Sequence, residues 1–600
     1  MSVTPDAQLE QQPTTVSAGL IETRAPPNNQ EKEPNSEANK PESDESPTCA
    51  NRRYPLRNRK PKVTLSMKST DIHFSDPPFE PRNYEEVTQC DEAHLWGPSM
   101  VDEFNSHQTN GTWILTRLPE GRKAIGTRWV YKIKPGHLTT PARHKSRFVA
   151  KGYSQIEGVD FQETYAPVVK YTSLRILLSY AAVHDWEMAQ LDIKTAFLYG
   201  LIDEELYIEQ PEGFIKSGEE KLVCKLVKCI YGLKQASRVW NKKFNAFLIK
   251  YGLKRCLNDF CVYIHRTENK FLIVCIWTDD GFLLSNDKPT LANVMTHLEK
   301  EFEIRILPTD RFVGMEIARN RKKREIFVNQ SAFARTMLSR FNAQSYTPKS
   351  VPANSNVHLS GAMSPNTEWE KKAMEKIPYR SAIGCLLYLS TVSRPDLSLI
   401  AGRLSRYCEN PGREHWTAMQ QVFFYIAGTI NHGLCYNQQT SITGYTDSDW
   451  AEDRDTYRST TGFIFTLNGG SVSWCSRRQK TVASSSCQAE YMAANETAKE
   501  AIWIRNLQDE LGLSPSTHPV PIHCDNQGAV KVVRDPVFHS RMKHIPIIYH
   551  ETREFEEAKL IKMLNIGTKE QLADIFTKAM DKSEFQRCRD MIGVLPLVDN

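Results

Sequence analysis

Residues 271–286 read FLIVCIWTDDGFLLSN, two short apolar runs separated by the adjacent carboxylates Asp279 and Asp280. The runs are rich in Ile, Val, Leu and Phe, which favours two buried strands joined by a tight turn over a single helix. The two carboxylates would then lie at the tip of a hairpin. Because like charges a few ångströms apart repel each other, the pKa of one carboxyl should rise unless a cation lies between them. The stretch therefore predicts either a solvated turn or a site for a divalent metal ion.

The length and charge distribution of the chain indicate several folded units and a basic body. Six hundred residues are too many for a single core and predict roughly three to five folded units. The net charge is +5, but residues 1–48 hold nine acidic residues against three basic ones, so the remainder carries +11. A basic body suits a polyanionic partner, although an excess of this size also occurs in proteins that bind none.

The sequence shows neither a secretory signal nor an apolar run of membrane-spanning length. Its fourteen cysteines are scattered and lack the Cys-x2-Cys spacing of a zinc site. This usage predicts reduced thiols in an intracellular compartment. We therefore expect a soluble intracellular protein that has no membrane partner.

The N-terminal part is predicted to be disordered. Residues 1–48 are rich in Pro, Glu, Ser, Asn and Thr and hold almost no large apolar side chains, so they cannot bury enough surface to offset the entropy of ordering. Seven Lys and Arg follow between Arg52 and Lys68, as in a solvated linker or an arm that contacts phosphates. Apolar residues return near Tyr84. Residues 1–83 are therefore predicted to be an acidic and then basic disordered linker.

The apolar pattern after this linker changes character twice. Residues 84–330 mix strands with helices, residues 331–437 are mostly helical, and residues 438–600 again combine strands with helices. The break near residue 438 is the best candidate for a domain boundary. The elements predicted are strands within 113–134 around a Gly-containing turn, a strand from 144, a helix over 173–186, a strand ending at Asp192, a hairpin over 314–330, and a hairpin through Asn468-Gly469-Gly470 before a long helix.

Asp192 adds a third carboxylate at a second structural corner, because it ends a predicted strand. Three carboxylates are the minimum needed to hold two divalent ions close together. In nucleotidyl transfer one ion lowers the pKa of the attacking 3′-hydroxyl and the other holds the triphosphate. The carboxylates would supply geometry and charge but no nucleophile.

A series of motifs then identifies a family. The stretches QLDIKTAFLYG, EQPEGF, CIYGLKQASRVW and WTDDGFLL occur in this order, preceded by RFVAKGYSQIEGVDFQETYAPVV and followed by FVGMEI and YRSAIGCLLYLSTVSRPD. They closely resemble the reverse transcriptase of copia-type retrotransposons. The resemblance runs from about Trp96 to near Leu595. It implies an α+β right-hand polymerase, with fingers and a ferredoxin-like palm over 84–330 and a helical thumb or connection over 331–437.

The same resemblance assigns roles to individual residues. It makes Asp192, Asp279 and Asp280 the catalytic, metal-binding aspartates. The family mostly has Tyr-Val before the aspartate pair, whereas this chain has Trp277-Thr278. The metal ligands are retained, so the chemistry should remain, while the contact with the primer end should differ.

Four further residues are predicted to contact the incoming nucleotide. Lys145 and Arg147 fall where related enzymes carry finger bases that clamp the triphosphate, and either of them could do so. Phe197 lies five residues after Asp192, where reverse transcriptases carry an aromatic gate against the 2′-hydroxyl, and its alternative is a place in the core. Gly232 would let the backbone approach the nascent base pair, or else it is a turn glycine.

A second set of carboxylates lies in the C-terminal part. GYTDSDWAED, SSSCQAEYMA, IHCDNQGAV and TKEQLADIFTK place one acid each on a strand, a helix, a strand end and a final helix, a set that suits two metal ions acting on water. These motifs resemble the ribonuclease H domain that follows the polymerase in copia-type elements. The resemblance implies an α/β ribonuclease H-like domain over 438–600. Its catalytic and metal-binding residues would be Asp447, Glu490, Asp525 and Asp574, with Asp449 as the nearest alternative to Asp447.

The sequence thus predicts an RNA-directed DNA polymerase joined to ribonuclease H, with two Mg2+ ions at each centre and Mn2+ as a substitute. Its expected partners are an RNA template, a DNA primer, an RNA/DNA hybrid and deoxynucleoside triphosphates. The expected location is the cytoplasm, within a virus-like particle if the element is intact, or the nucleus. The alternative from another class is a decayed or domesticated copy that binds nucleic acid without catalysis.

Overall fold

The elements of the chain follow its apolar pattern over the residues that the structure describes. A computed structural model describes residues 80–134, 142–344, 347–513, 518–534 and 549–597. These residues fall in one contact unit, Asp71–Asn600. Nearly all of the segment predicted to be disordered lies outside the described residues. The first helix begins at Tyr84, where ordered structure is predicted to start.

The helices and strands have the following bounds. The α-helices are α1 (Tyr84–Gln89), α2 (Ala93–Thr109), α3 (Tyr171–Val183), α4 (Ala236–Tyr251), α5 (Lys288–Glu301), α6 (Ser331–Arg340), α7 (Glu368–Glu375), α8 (Tyr379–Val392), α9 (Ser398–Ser405), α10 (Arg413–Gly428), α11 (Ser486–Glu510), α12 (Gln527–Arg534), α13 (Glu551–Glu557) and α14 (Lys582–Met591). The strands are β1 (Trp113–Arg117), β2 (Thr127–Lys134), β3 (Arg143–Ala150), β4 (Glu187–Ile193), β5 (Tyr207–Ile208), β6 (Leu222–Leu226), β7 (Lys254–Arg255), β8 (Val262–Arg266), β9 (Phe271–Trp277), β10 (Asp280–Ser285), β11 (Ile304–Leu307), β12 (Arg311–Phe312), β13 (Met315–Asn320), β14 (Glu325–Asn329), β15 (His432–Tyr436), β16 (Thr443–Ser448), β17 (Thr460–Leu467), β18 (Gly470–Arg478), β19 (Val520–Cys524), β20 (Ile561–Asn565) and β21 (Val594–Pro596).

The aspartate-bearing stretch lies at the centre of an antiparallel sheet of order β11-β4-β10-β9-β8-β7. Strands β9 and β10 form the predicted hairpin, with Asp280 opposite Trp277 at its closed end. Every residue of β9 before Trp277 is buried, and α5 packs on β4, β9 and β10. Burial of the whole strand explains why its sequence is continuously apolar and does not alternate. The strand predicted to end at Asp192 is β4, which extends one residue further.

The strands predicted within residues 113–134 form, but they do not pair with each other. Strand β1 pairs with β6 in a sheet of order β1-β6-β5, while β2 pairs with β3. Local alternation indicates strand character, whereas the choice of partner depends on packing against distant segments that a local pattern does not specify. Trp96, Trp129 and Phe148 lie in the separate hydrophobic core of this part.

A third sheet, of order β12-β13-β14-β15-β21, joins segments that lie far apart in the sequence. Strands β13 and β14 are the hairpin predicted over 314–330. The stretch predicted to be mostly helical contains α6 to α10 and ends in β15. Val328 pairs with Leu434, and Leu434 pairs in turn with Val594.

The buried side chain of Arg175 in α3 connects these segments to the C-terminal part. Its guanidinium donates to the carbonyls of Thr391 and Val392 at 2.9 and 3.0 Å and to the carbonyl of Val472 at 2.8 Å. The same group lies over the ring of Trp474, 3.9 Å from the ring centroid. One side chain thus holds α3, α8 and β18 together.

The C-terminal part is built on a sheet of order β18-β17-β16-β19-β20. Strands β16, β17 and β18 are antiparallel, whereas β16, β19 and β20 are parallel. The hairpin between β17 and β18 turns through Asn468 and Gly469, both at positive φ, as its Asn-Gly sequence predicts. The long helix α11 packs on β16 and β17.

One hydrophobic core runs from α3 and the six-stranded sheet to α11 and β19. Every cysteine among the described residues is a free thiol, as predicted. Within the same part of the chain, no helix combines the length and the apolar character needed to cross a membrane.

Candidate functional site

Three aspartates meet where β4 and β10 lie side by side. Asp192 of β4 is directly opposite Asp280 of β10, and Asp279 occupies the turn that precedes β10. The carbonyl of Asp279 accepts a hydrogen bond from the Ile193 N–H at 2.9 Å, which ties this turn to β4. The predicted hairpin tip and the predicted strand end are therefore brought together.

The turn that presents Asp279 has an unusual backbone and is held from outside. Thr278 has a φ of +56°, in the left-handed region that β-branched residues rarely adopt. Trp240 of α4 donates from Nε1 to the Thr278 carbonyl at 2.6 Å, and the ring of Trp277 lies 5.5 Å from that of Tyr171. These contacts stabilise the Trp277-Thr278 variant of the turn. Sequence analysis assigned no role to Trp240, although it ends the quoted stretch CIYGLKQASRVW, because a motif does not show which distant backbone group its side chain contacts.

The aspartates line a cleft of about 470 Å3 that also contains a set of basic side chains. Lys145 and Arg147 lie two residues apart on β3, and both line this cleft. The sequence analysis assigned no role to the other Lys and Arg residues there, which are Lys134, Arg143, Lys194 and Arg305. The structure therefore places the predicted carboxylates and the predicted finger bases around one cavity.

The pKa values of the cleft show that its basic side chains compensate the charges of Asp279 and Asp280 only in part. Burial raises the pKa of Asp280 to about 7, and repulsion from Asp279 and Asp192 adds to the shift. Burial also raises the pKa of Asp279. Burial and repulsion from Arg147 lower the pKa of the Lys145 ammonium. A divalent cation near the aspartates would relieve the repulsion among them.

Phe197 reaches this cleft only through a neighbouring aromatic ring. It lies in a short 3-10 helix that follows Thr195, whose positive φ turns the chain after β4. The half-buried Phe197 ring packs edge-on against Tyr231 at 4.8 Å between centroids. Tyr231 lines the cleft, and the Arg147 guanidinium lies 4.8 Å from its ring centroid. Sequence analysis missed Tyr231, although it directly precedes the glycine that was singled out.

A glycine is required at position 232 because the backbone of Ala150 lies very close to it. Its φ is +92°, and a Cβ at this position would lie 2.2 Å from the Ala150 carbonyl oxygen. The Ala150 N–H donates to the Tyr231 carbonyl at 2.8 Å, so β3 is bonded directly to this turn. The glycine thus permits β3 to approach the turn, and its predicted contact with a base pair stays a prediction.

A second acid cluster forms at one end of β16 and β19. Asp447 lies on β16, Glu490 on α11, Asp525 directly after β19, and Asp574 in a short 3-10 helix. One ligand atom each from Asp447, Asp525 and Asp574 lies within 4.8 Å of the others, and the same holds for Glu490, Cys524 and Asp525. All four predicted carboxylates are therefore brought together. In the described residues no other three such ligand groups converge so closely, and the aspartates of the cleft are more widely spread.

The second cluster has the charge and donor types that suit a hard divalent cation. Burial raises the pKa of Asp447 to about 7, although the Lys578 ammonium opposes this shift. The pKa of Glu490 lies well above its usual range because of burial and repulsion from Asp447. Asp447 is fully buried, and its Oδ1 has no hydrogen-bond partner within the described part of the chain. An orphaned buried oxygen among other carboxylates fits Mg2+ or Mn2+, which prefer oxygen ligands.

Lys578 supplies a cation of the protein's own to this cluster. Its Nζ lies 2.8 Å from Asp574 Oδ1 and 3.4 Å from Asp447 Oδ2. The neighbouring Thr577 hydroxyl donates to Asp447 Oδ2. Sequence analysis missed Lys578, yet its position four residues after Asp574 is a spacing that joins side chains on one helical face.

Asp449, the alternative to Asp447, lies outside both groups of converging ligands. It is buried, and its Oδ1 accepts from the Glu452 N–H at 3.3 Å. Side chains two residues apart on one strand share a face, so Asp449 would lie beside Asp447 if the strand continued. However, β16 ends at Ser448, between the two aspartates. The geometry thus favours Asp447 as the member of the acid cluster.

Comparison with known proteins gives consistent matches. The family model described as reverse transcriptase (RNA-dependent DNA polymerase) matches residues 110–355. The retrovirus-related Pol polyprotein from transposon TNT 1-94 of Nicotiana tabacum is 40% identical over 553 residues, which are 92% of this chain and 40% of the relative. The corresponding polyprotein from transposon RE2 of Arabidopsis thaliana is 35% identical over 86% of this chain and 35% of the relative. The chain therefore spans well under half the length of these relatives.

Among solved structures, the foamy viral protease-reverse transcriptase in complex with double-stranded DNA has a TM-score of 0.42 and 12% identity to this chain. The alignment covers 78% of this chain and 69% of that one. This likeness is too low to bear on fold or function.

Proposed function

Since the chain is homologous to the Pol polyproteins of copia-type transposons and carries their reverse transcriptase domain over residues 110–355, we propose that it copies RNA into DNA and then degrades the RNA strand of the hybrid. The observation that carries the first activity is the pairing of Asp192 with Asp280 beside Asp279, opposite basic side chains in one cleft. The second activity is supported by the convergence of four carboxylates on the C-terminal sheet.

The architecture supports a right-hand polymerase followed by a ribonuclease H-like domain. The six-stranded sheet with the aspartates would be the ferredoxin-like palm, and the basic hairpin of β2 and β3 would belong to the fingers. The helices from α6 to α10 would form the thumb or connection. The sheet of mixed direction with α11 across it would be the ribonuclease H-like part. The boundaries proposed for these parts are 84–330, 331–437 and 438–600.

In the polymerase centre, the aspartates would hold two divalent ions and the basic side chains would bind the triphosphate. Asp192, Asp279 and Asp280 have the oxygen donors that Mg2+ or Mn2+ requires. When bound at either centre, such ions stabilise negative charge at the reacting phosphate and lower the pKa of the attacking hydroxyl or water. Lys145 and Arg147 lie on the same face of β3, so both would contact phosphate oxygens across the cleft.

Selection of deoxynucleotides would depend on the aromatic pair of Phe197 and Tyr231. An apolar pocket discriminates weakly against an added hydroxyl that it can tolerate, so rejection of a ribonucleotide needs a rigid group in its place. The Tyr231 ring lines the cleft and is packed between Phe197 and the Arg147 guanidinium. We infer that Phe197 acts here by fixing the Tyr231 ring as well as by its own bulk.

In the ribonuclease centre, Asp447, Glu490, Asp525 and Asp574 would hold the ions that act on a phosphodiester. Thr577 fixes one oxygen of Asp447 by its hydrogen bond, which leaves the unpartnered Oδ1 free to act as a ligand. Lys578 reduces the repulsion between Asp447 and Asp574 by pairing with both, and a bound metal ion would supply positive charge at the same place.

The proposed partners are an RNA template, a DNA primer, the resulting hybrid and deoxynucleoside triphosphates. The proposed location is the cytoplasm, within a virus-like particle where the element is intact, or the nucleus.

Two assays on the same purified protein test this function. Primer extension on poly(rA)/oligo(dT) with Mg2+ should yield DNA, and hydrolysis of a labelled RNA strand in a hybrid should yield short RNA fragments. Binding of the hybrid without either activity would instead support a domesticated or decayed copy.

A further inference from the structure

Cys524 places a thiol inside the second acid cluster. It ends β19 and is fully buried. Its Sγ lies 3.9 Å from Glu490 Oε2 and 3.8 Å from the Asn526 carbonyl oxygen, both long contacts for a thiol. Together with Asp525, Glu490 and Cys524 offer three ligand atoms within 4.8 Å of one another. Elsewhere in the described residues, no cysteine belongs to such a group.

The Lys578 ammonium forms its ion pairs with the acids of this cluster that lie outside the group containing Cys524. Lys578 forms ion pairs with Asp574 and Asp447, whereas Glu490 and Asp525 form none in the described part of the chain. Asp447 Oδ1, fully buried and without a partner, lies within the same cluster. The side of the cluster that holds the thiol is thus the side without a neutralising ammonium.

We propose that Glu490, Cys524 and Asp525 form a site for a thiophilic divalent cation of the Zn2+ class, and that this cation inhibits hydrolysis of the hybrid. Thiolate ligands select soft or borderline cations, whereas Mg2+ takes oxygen ligands. The binding site rests on the geometry alone. The inhibition rests on the proposed ribonuclease function, because the cation would occupy two of its carboxylates.

The three ligand atoms lie no more than 4.8 Å apart, which is near the separation that zinc coordination requires. Zinc accepts sulfur at about 2.3 Å and carboxylate oxygen at about 2.0–2.2 Å, and three protein ligands leave one position for water. Ligand atoms around a tetrahedral ion of this size lie roughly 3–4 Å apart. The group therefore needs to contract by about an ångström at most. The cation would replace the proton of the Cys524 thiol, which passes to solvent, and no electron is transferred.

Cadmium provides a direct probe of this site in the 600-residue chain. Titration with CdCl2 should produce the ultraviolet charge-transfer band of a cadmium–thiolate bond at one equivalent. Cys524→Ser should remove this band or weaken the affinity at least tenfold. Cys487→Ser is the matched control, because Cys487 lies one turn before Glu490 on the same helix but outside the ligand group. An undiminished band in Cys524→Ser, or an equal loss in Cys487→Ser, would overturn the proposal.

A second variant keeps the test decisive if the serine substitution prevents folding. Asp525→Asn preserves the thiol and the side-chain volume, and it should weaken cadmium binding at least tenfold. Unchanged cadmium affinity in this variant would exclude the site.

The inhibitory effect is tested separately with ZnCl2 in hybrid hydrolysis under excess Mg2+. The wild type and Cys487→Ser should be inhibited, whereas Cys524→Ser, measured against its own zinc-free rate, should require at least tenfold more zinc. Equal sensitivity of all three proteins would overturn the inhibition. If no hydrolysis occurs without zinc, the ribonuclease proposal fails, while the cadmium band still decides whether the metal site exists.

Discussion

Replacing Asp280 by asparagine should stabilise the metal-free protein at neutral and alkaline pH while it abolishes DNA synthesis. Asparagine has nearly the same shape as aspartate but carries no charge. Burial, followed by repulsion from Asp279 and Asp192, raises the pKa of Asp280 to about 7, so the ionised form destabilises the folded state. The same charge is needed to hold a metal ion. Stability and activity should therefore change in opposite directions at this position.

The size of the effect follows from the pKa. The difference between the ordinary aspartate pKa of 3.8 and a value of about 7 corresponds to about 4 kcal/mol. Asp280 is only half-buried, and solvent screening should reduce this to about 1–2 kcal/mol. Because the pKa is higher in the folded state, the wild type keeps this stability below about pH 4 and loses it as the pH rises to about 7. The asparagine variant does not titrate in this range, so its advantage should grow over the same interval.

The free energy of unfolding should be measured with urea in the presence of EDTA, from about pH 4.5 to about pH 8.5. Asp310→Asn is the control, because Asp310 is an exposed aspartate outside the cleft. Saturating Mg2+ should reverse the order, since only the wild type retains all three ligands. The reasoning would be refuted if Asp280→Asn were no more stable than the wild type at high pH without metal, or if its advantage did not depend on pH.

Four further substitutions test the separate parts of the proposal. Asp279→Asn should reduce primer extension about a thousandfold and spare hybrid cleavage, while Glu490→Gln should do the reverse; loss of both activities from one folded variant would exclude two independent centres. Lys578→Met should tighten Mn2+ binding in calorimetric titration and lower the free energy of unfolding of the metal-free protein by about 1–2 kcal/mol. Weaker Mn2+ binding would exclude the idea that the Lys578 ammonium competes with the metal ion for the carboxylates. Phe197→Val should raise ribonucleotide incorporation relative to deoxyribonucleotide at least about tenfold, whereas an unchanged ratio in an active variant would return Phe197 to the core.

The parts of the structure that the sequence predicted are those set by local patterns. The hairpin that carries Asp279 and Asp280 follows from two short apolar runs and the polar pair between them. The turn at Asn468 and Gly469 follows from residues that tolerate positive φ. The four carboxylates of the second cluster could be assigned only because their motifs resemble a family, since each acid alone would be an ordinary surface residue.

The features that sequence analysis missed depend on contacts between distant segments. Trp240 holds the Thr278 carbonyl from another element, and Tyr231 lines the cleft only because β3 is bonded to its turn. The pairing of β1 with β6 likewise joins residues about a hundred positions apart. Such contacts are selected by the packing of the whole core, which a single sequence does not reveal.

The two proposed centres are chemically separate but structurally joined. Their carboxylates come from different elements and share no member, so each proposed centre would hold its metal ions with its own residues. Yet Leu434 of β15 pairs with Val328 on one side and with Val594 on the other, and Arg175 bonds α3 to β18. A cut near residue 438 would leave β21 without its partner strand and would divide a continuous core. The proposed boundary therefore lies between the residues of the two proposed centres but within one continuous core. Packing across this boundary fixes the position of one centre relative to the other.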